Sequence, residues 1–308
     1  MNIESNLKKS FGKQIYFKEN LSKYSWFNLG GPADLFFRPD SIDQLTLFLN
    51  FFKNQKEKIN IIGAGSNTLI REGGVNGITI KLSSKFSYTK LLEKDIIQTG
   101  AATLERAVSD FATKNSLTGF EFLSCIPGSI GGGIKMNSGC YGEDISKIIF
   151  SVEAMDRNGN IREFKKNQIK FFYRGCDLNE DLIILSAKFK GHLSDKKNIE
   201  QKQTKLIKQK KESQPGRIKT CGSTFKNSSN KKAWELIKES NCEKMSVGNA
   251  KISEKHCNFF INEGNATSKD IEELINRVKK QVFEKTNVNL ELEIKVIGKN
   301  KREGGRQF

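Results

Sequence analysis

Between Gly119 and Ile145 the chain reads GFEFLSCIPGSIGGGIKMNSGCYGEDI, and five of its glycines (128, 131, 132, 133 and 139) fall within twelve residues. Apolar residues separate them, so this is not a flexible linker, which would be polar and repetitive. Glycine permits positive φ and close backbone approach, at an entropic cost in any regular element. Clustering it in an apolar run suggests main chain pressed against something flat or phosphorylated. Backbone N–H groups exposed in this way bind phosphate oxygens. A tight turn between two buried strands fits the same composition.

A chain of 308 residues is long enough for two or three domains with cores of their own. Hydrophobic residues make up 36% and charged residues 28%, as in a soluble globular protein. The N-terminal MNIESNLKKSFGKQIYF lacks the apolar core of a signal peptide, and no stretch approaches the roughly 20 apolar residues of a membrane span. The expected location is the cytoplasm, with no membrane contact. The six cysteines show no CxxC pattern, and only two histidines, His192 and His256, are present, so no metal site is expected. Reduced thiols fit a reducing compartment. The net charge of +17 raises the question of nucleic acid, but the lysines are interleaved with glutamates and no stacking platform accompanies them. No nucleic-acid partner is expected.

Residues 1–23 read as a polar entry segment, followed by a turn at Gly30–Pro32 and a short strand at Leu35–Phe37. Ser41 with Gln44 forms a capping box ahead of a helix whose face carries Leu45, Phe48, Leu49 and Phe52. INII then reads as a buried strand entering the turn GAGSN, in a βαβ-like start. That turn lacks the third glycine of the dinucleotide fingerprint, and no apolar-striped helix follows it, so the ordinary Rossmann motif is absent. Further strands are expected at ITIKL, DIIQTG and DLIILSAKFK, and a helix with Leu104, Ala107, Val108, Phe111 and Ala112 on its buried face. IIFSVEAMDRNGNIREF is a hairpin turning at Asn158-Gly159. Residues 194–219 are charged and end at Pro215-Gly216, a connection that is partly helical. Beyond it come a helix over about 231–240, the strand HCNFFIN, a capped helix carrying Ile271, Leu274, Ile275, Val278 and Val282, and a last strand, LELEIKVIG. Residues 299–308 read as a solvated tail.

Three polar residues stand out. Arg174 follows three aromatics in FFYRG, where an apolar wall would strengthen its grip on an anion; an arginine ion-paired at a strand edge reads the same way. Ser223 in CGSTFKN fits either a proton donor or a turn-forming serine. Triad chemistry is not expected, because no G-x-S-x-G elbow is present. Glu293 alternates with leucines in LELEI, so it shares one face with Glu291, which is also how the wet face of an edge strand looks.

Seven motifs in order give these fragments a common meaning: NLGGPAD, GAGSNTLI, GFEFLSCIPGSIGGGIKMNSGCYGEDI, YRGC, GSTFKN, KISEKHCNFFINEGNAT and LELEIKVIG. Over roughly residues 22–298 the chain resembles the UDP-N-acetylenolpyruvoylglucosamine reductase (MurB) family. The resemblance implies an α+β fold: two α+β subdomains forming an FAD-binding unit of the vanillyl-alcohol-oxidase (PCMH) type, and a C-terminal α+β substrate-binding domain. Set on this chain, the parts are 1–75 and 76–193 for the subdomains, 194–219 for the connection, 220–298 for the substrate domain and 299–308 for a basic tail.

The family's chemistry implies non-covalent FAD, NADPH as hydride donor, and UDP-N-acetylglucosamine enolpyruvate as the group reduced, on the way to peptidoglycan. The motifs place the FAD diphosphate against Gly63, Gly65, Ser66 and Asn67 and against Ile126, Pro127, Gly128, Ser129, Gly131 and Gly132, with Asn137 and Gly139 nearby. Arg174 and Glu293 would stabilise an enolic intermediate, Glu293 in its protonated form, and Ser223 would protonate C2. Tyr173, Lys226, Asn227 and His256 would contact substrate. A monomer is expected.

The chain departs from the usual pattern at Asn28, where arginine is common, at Ser138 and Cys140, where MNAGAYG has alanines, and at Ser228, where proline is common. These departures bear on redox tuning more than on activity. YRG leads almost directly into the next strand, so the shorter type, without a tyrosine-bearing loop insertion, is expected. Two other readings remain at this point. One is an oxidase of the same fold, which would not need Arg174, Ser223 and Glu293 together and often attaches flavin through a histidine; neither histidine lies in the glycine turns. The other is a basic RNA-binding protein with an inactive fold, whose binding would be salt-sensitive.

Overall fold

The computed structural model describes residues 3–53, 55 and 57–301. The chain divides into two compact units. Unit 1 comprises Met1–Tyr16, Leu35–Ala64 and Gly77–Lys210; unit 2 comprises Phe17–Asp34, Gly65–Asn76 and Lys211–Phe308.

Unit 1 begins with a helix, α1 (Ile3–Phe11), where a polar entry segment was expected. Leu7, Phe11 and Ile15 are buried, so the lysines between them disguise an amphipathic helix. Phe11 meets Phe37 and Phe48 edge-on at 5.3 and 5.4 Å, and Phe37 stacks on Phe48 at 3.9 Å. Phe48 belongs to α2 (Ile42–Phe51), whose N-terminus is closed as its sequence requires: Ser41 Oγ accepts from Gln44 N at 3.1 Å, and Asp40 N donates to Gln44 Oε1 at 2.9 Å. Ile59–Ile61 pairs in parallel with residues 78–80 at the end of the strand Val75–Ile80. Ile61 is 39% exposed, so INII is half-buried rather than buried.

A five-stranded antiparallel sheet is the larger part of unit 1. Its order is Ile161–Lys165, Ile149–Met155, Ile183–Lys190, Ile96–Gly100, Thr89–Glu93. The first two strands are the expected hairpin, and Asp156 Oδ1 accepts from the N–H groups of Asn158 and Asn160 at 2.8 and 3.0 Å. Against this sheet pack α3 (Glu105–Lys114), α4 (Ile130–Met136) and α5 (Ile145–Ile148), sharing a core that includes Ile97, Val108, Phe122, Ile130, Ile134 and Phe189. Within the charged stretch 194–219, α6 (Lys196–Ser213) lies on this unit through buried Ile199. Lys202 also pairs with buried Glu121 at 3.4 Å, and Gln203 donates to Asp110 at 2.9 Å.

Unit 2 packs α7 (Ala233–Glu239) and α8 (Ser268–Thr286) with an antiparallel sheet of Ser246–Val247, Ala250–Ser253 and His256–Asn262. The expected apolar stripe of α8 (Ile271, Leu274, Ile275, Val278 and Val282) is buried, and Thr267 caps its start reciprocally with Asp270. LELEIKVIG is not one long strand. Only Lys295–Ile297 forms a ladder, parallel to Thr68–Ile70, while Leu292 makes a single bridge to Phe225. The alternation is real, since Leu290 and Ile294 are buried, but pairing switches partner midway. The 299–308 tail lies largely outside the described residues. No helix among the described residues is long and apolar enough to cross a membrane.

Candidate active site

In unit 1 the glycine-rich segment has two distinct uses for its glycines. Gly128, Ile130 and Gly131 run beside 101–105: Gly128 O accepts from Glu105 N, Ile130 N donates to Thr103 O and Gly131 N donates to Ala101 O, at 2.9 to 3.0 Å. A Cβ on Gly128 or Gly133 would come within 2.5 or 2.4 Å of Glu105 Oε1. These two glycines make room for the protein's own carboxyl. Gly132 differs. It is exposed, and a Cβ there would meet nothing nearer than Ser129 Oγ at 3.6 Å. A Cβ on Gly63 would lie 2.6 Å from Ser129 Oγ and 3.8 Å from Gly132 Cα. The two glycine clusters of the sequence thus converge at Gly63 and Ser129–Gly132.

Lys81 stands at that convergence and donates to Gly63 O. Burial, with Arg38 nearby, pushes its pKa down to about 8. Arg38 Nε is itself buried without a hydrogen-bond partner. Open backbone beside two cationic side chains fits a diphosphate-bearing group such as FAD.

Glu105 was not anticipated. The helix face read from Leu104, Ala107 and Val108 is rotated, because Leu104 and Ala107 are exposed while Glu105, Val108, Ser109, Ala112 and Thr113 are buried. The Glu105 carboxyl is fully enclosed; Oε2 accepts from Ser138 Oγ at 2.8 Å and Oε1 has no partner. Burial raises its pKa to about 8, against smaller lowering by Ser138 and by the Arg174 charge. The neutral form is therefore favoured in the folded protein over most of the neutral range. Stability from this group is present below the unfolded carboxyl pKa and is lost as pH rises through about 8. Glu105→Gln is expected to flatten this dependence: between about pH 5 and about pH 8.5, the urea midpoint of the parent protein should fall further than the variant's. Parallel profiles would contradict it.

Asn137 ends α4 in the left-handed region (φ 42°), and both ends of its amide are occupied: Nδ2 donates to Phe172 O at 3.1 Å and Oδ1 accepts from Ser146 N at 3.0 Å. It therefore steadies the short hairpin of Phe171–Phe172 and Gly175–Cys176, whose turn carries Tyr173 and Arg174. Arg174 adopts φ 59°, where a type II turn usually places glycine, and its guanidinium lies 5.0 Å from the Tyr173 ring. Gly139 is held tightly, since a Cβ would fall 2.3 Å from Glu143 O. Ile126 is half-buried and Pro127 exposed.

In unit 2, Ser223 bridges Phe259 on one side, while Thr224 O accepts from Glu293 N at 2.9 Å on the other. Lys226 N donates to Glu291 O at 2.8 Å. The segment 223–226 therefore lies between His256–Asn262 and 291–293, which brings Ser223 and Glu293 onto neighbouring strands. Asn258 fixes the centre strand: its amide donates to Phe225 O at 2.8 Å and accepts from Phe225 N at 2.9 Å, fully buried. This role was missed, although an asparagine interrupting the apolar HCNFFIN was the visible signal.

Asn67 Nδ2 donates to Glu293 O at 3.0 Å, so the GAGSN turn braces the same strand. Ser66 beside it is half-buried. Gly65 is required by the protein itself, with φ 72° and a Cβ position 1.8 Å from Tyr24 O. Asn227 Oδ1 accepts from Ala233 N at the start of α7. His256 sits edge-on to Phe259 at 4.8 Å, its pKa lowered by burial, and its Nδ1 accepts from Asn258 N at 3.3 Å. A neutral imidazole accepting at Nδ1 carries its proton on Nε2.

Residues 213–297 match the family model described as UDP-N-acetylenolpyruvoylglucosamine reductase, C-terminal domain, and residues 33–165 match a FAD binding domain. The UDP-N-acetylenolpyruvoylglucosamine reductase of Pelagibacter ubique is 47% identical over 302 residues, spanning 96% of this chain and 100% of its own. The chain belongs to the UDP-N-acetylenolpyruvoylglucosamine reductase family. A second reductase of this family, from Wolbachia pipientis wMel, is 44% identical over 90% of this chain and 94% of its own. The crystal structure of the Thermus caldophilus reductase superposes with a TM-score of 0.80 at 28% identity, covering 92% of this chain and 98% of that one. The expected FAD-binding fold with a C-terminal domain is thereby established for this reductase-family chain.

Proposed function

We propose that this protein reduces the enolpyruvyl group of UDP-N-acetylglucosamine enolpyruvate to give UDP-N-acetylmuramate, using NADPH and non-covalent FAD. The observation that carries the reading is similarity along the full length of a reductase so named. When bound, FAD supplies hydride transfer from NADPH to C3 of the enolpyruvyl double bond.

The chain's residues hold the reactants and manage charge. Gly63, the turn from Ile126 to Gly132, and Lys81 would hold the diphosphate, with Gly139 and Asn137 supporting them; Gly65, Ser66 and Asn67 are the further residues proposed for the cofactor. Arg174 and Glu293 would stabilise the oxygens on which negative charge gathers as C3 is reduced. A carboxyl group that donates rather than repels must be protonated at that moment. Ser223 would give its hydroxyl proton to C2. A serine is a poor acid in water, but the carbanion is far more basic, so placement matters more than acidity. Supporting this reading, two isolated bridges and the Asn258 clamp hold the backbone of residues 223–225. Tyr173, Lys226, Asn227 and His256 would contact the UDP-sugar, His256 as a neutral Nε2 donor. The protein would act as a monomer in the cytoplasm, without nucleic acid.

The test is product analysis under anaerobic conditions. NADPH consumption should depend on the enolpyruvyl UDP-sugar, with one equivalent of UDP-N-acetylmuramate formed per NADPH oxidised. Consumption that needs dioxygen and leaves the sugar unchanged would point to an oxidase instead.

A further inference from the structure

Glu105, the first residue of α3, meets the glycine-rich segment ahead of α4, within it and beyond it. Its N–H donates to Gly128 O at 3.0 Å, and Leu104 beside it bridges to Ser129. Its carboxyl occupies the gap at Gly128 and Gly133, where a Cβ on either glycine would fall 2.5 or 2.4 Å from Oε1. Its Oε2 accepts from Ser138 Oγ at 2.8 Å, and Ser138 N in turn donates to Gly133 O at 2.8 Å. One buried residue therefore touches the segment at 128, 133 and 138. The stretch Ser129–Gly132, where the clusters converge and Gly132 stays open, lies between the first two of these contacts.

The packing disfavours a charge on this carboxyl. It is fully enclosed, Oε1 has no hydrogen-bond partner, and a single hydrogen bond from Ser138 is little compensation for a carboxylate taken out of water. The other ionisable groups that act on it are Arg174, on the hairpin 171–176, and Cys140, on the strand 139–140. The Arg174 charge favours ionisation, but burial outweighs it. Once ionised, Glu105 would set a negative charge against Gly133, the neighbour of open Gly132, and would repel an anionic diphosphate there.

We propose that Glu105 is a positioning residue for the cofactor turn: its neutral carboxyl pins residues 128–138 in the form that receives the FAD diphosphate, and its ionisation weakens FAD binding. Glu105 acts through the backbone it supports. The inference rests on the reading of this turn as the diphosphate site.

The test is the equilibrium release of FAD from the diluted full-length holoprotein, followed by flavin fluorescence at pH 7 and pH 9. Burial raises the Glu105 pKa to about 8, so if only the protonated form binds, the dissociation constant should rise about tenfold over this interval. Lys81, pushed down to about 8 by its own burial, loses charge over the same range. The readout is therefore the comparison with Glu105→Gln, which keeps the shape and stays neutral. The rise in the parent should exceed the rise in Glu105→Gln about tenfold, and at pH 7 the two should agree within about threefold. Glu105→Ala, which leaves a cavity under the turn, should release FAD at least about tenfold more readily than Glu105→Gln at pH 7. A role in packing alone would weaken Glu105→Ala but leave the profiles of the parent and Glu105→Gln parallel. Parallel profiles, or a Glu105→Gln protein that holds FAD as poorly as Glu105→Ala, would overturn the proposal and leave the functional reading standing. A parent that holds no FAD at either pH would overturn both.

Discussion

Replacing Ser223 with alanine is expected to leave bleaching of the bound flavin by NADPH unchanged and to slow its recolouring by the enolpyruvyl UDP-sugar about 10²–10⁴-fold, the range for loss of a positioned proton donor. The asymmetry follows from where the hydroxyl would act. Hydride transfer from NADPH involves no proton at C2, whereas reduction of the enolpyruvyl group leaves negative charge that only protonation can retire. The segment 223–225 is held by single bridges from Ser223 to Phe259 and from Phe225 to Leu292 and by the buried Asn258 clamp on Phe225, so removing one oxygen should not move the backbone. Stopped-flow absorbance measures the two half-reactions separately. Equal slowing of both would sink the proton-donor assignment, since it would place Ser223 in flavin binding or in the fold.

The second large effect is expected on stability. Gly65→Ala puts a Cβ at 1.8 Å from Tyr24 O in a residue with φ 72°, and Trp26 N donates to the Gly65 carbonyl at 3.1 Å, so the backbone has no room to yield. Overpacking plus strain of this kind should cost about 3 kcal/mol or more. Gly216→Ala is the control: nothing lies within 4 Å of its added Cβ and φ is not positive, so a change within about 0.5 kcal/mol is expected. Chemical denaturation of the two variants checks this. If Gly65→Ala were as stable as the parent, the glycine would serve something other than this close approach.

These contrasts explain what could be read from the chain beforehand. Local chemistry was legible wherever one residue decides a backbone state: Ser41 with Gln44, Asn158-Gly159 and the stripe on α8 all appear as their sequences require. Tertiary contacts decided the rest. Leu104 is exposed and Glu105 buried because the glycine segment leaves a carboxyl-sized gap at Gly128 and Gly133, which no helical periodicity reports. LELEIKVIG alternates throughout, yet it changes strand partner from Phe225 to Thr68–Ile70, because alternation encodes facing and not pairing. The entry segment hid α1, whose lysines dilute a buried stripe of Leu7 and Phe11.

The same holds at the candidate site. Clustered glycines revealed where backbone must approach something closely, but not what. The structure separates those that accommodate Glu105, Tyr24 or Glu143 from Gly132, which stays open. The departure at Ser138 likewise finds a local reason, since its hydroxyl donates to the buried Glu105 carboxyl. Nothing in the structure explains Asn28 beyond its positive φ of 56°, a conformation asparagine tolerates better than arginine.

The most direct measurement is a visible absorption spectrum of the purified protein in one anaerobic cuvette, first alone, then with NADPH, then with UDP-N-acetylglucosamine enolpyruvate. The expected result is a yellow protein that NADPH bleaches and that the enolpyruvyl UDP-sugar recolours without air. Recolouring only when air is admitted, or a protein that takes up no FAD, would contradict it.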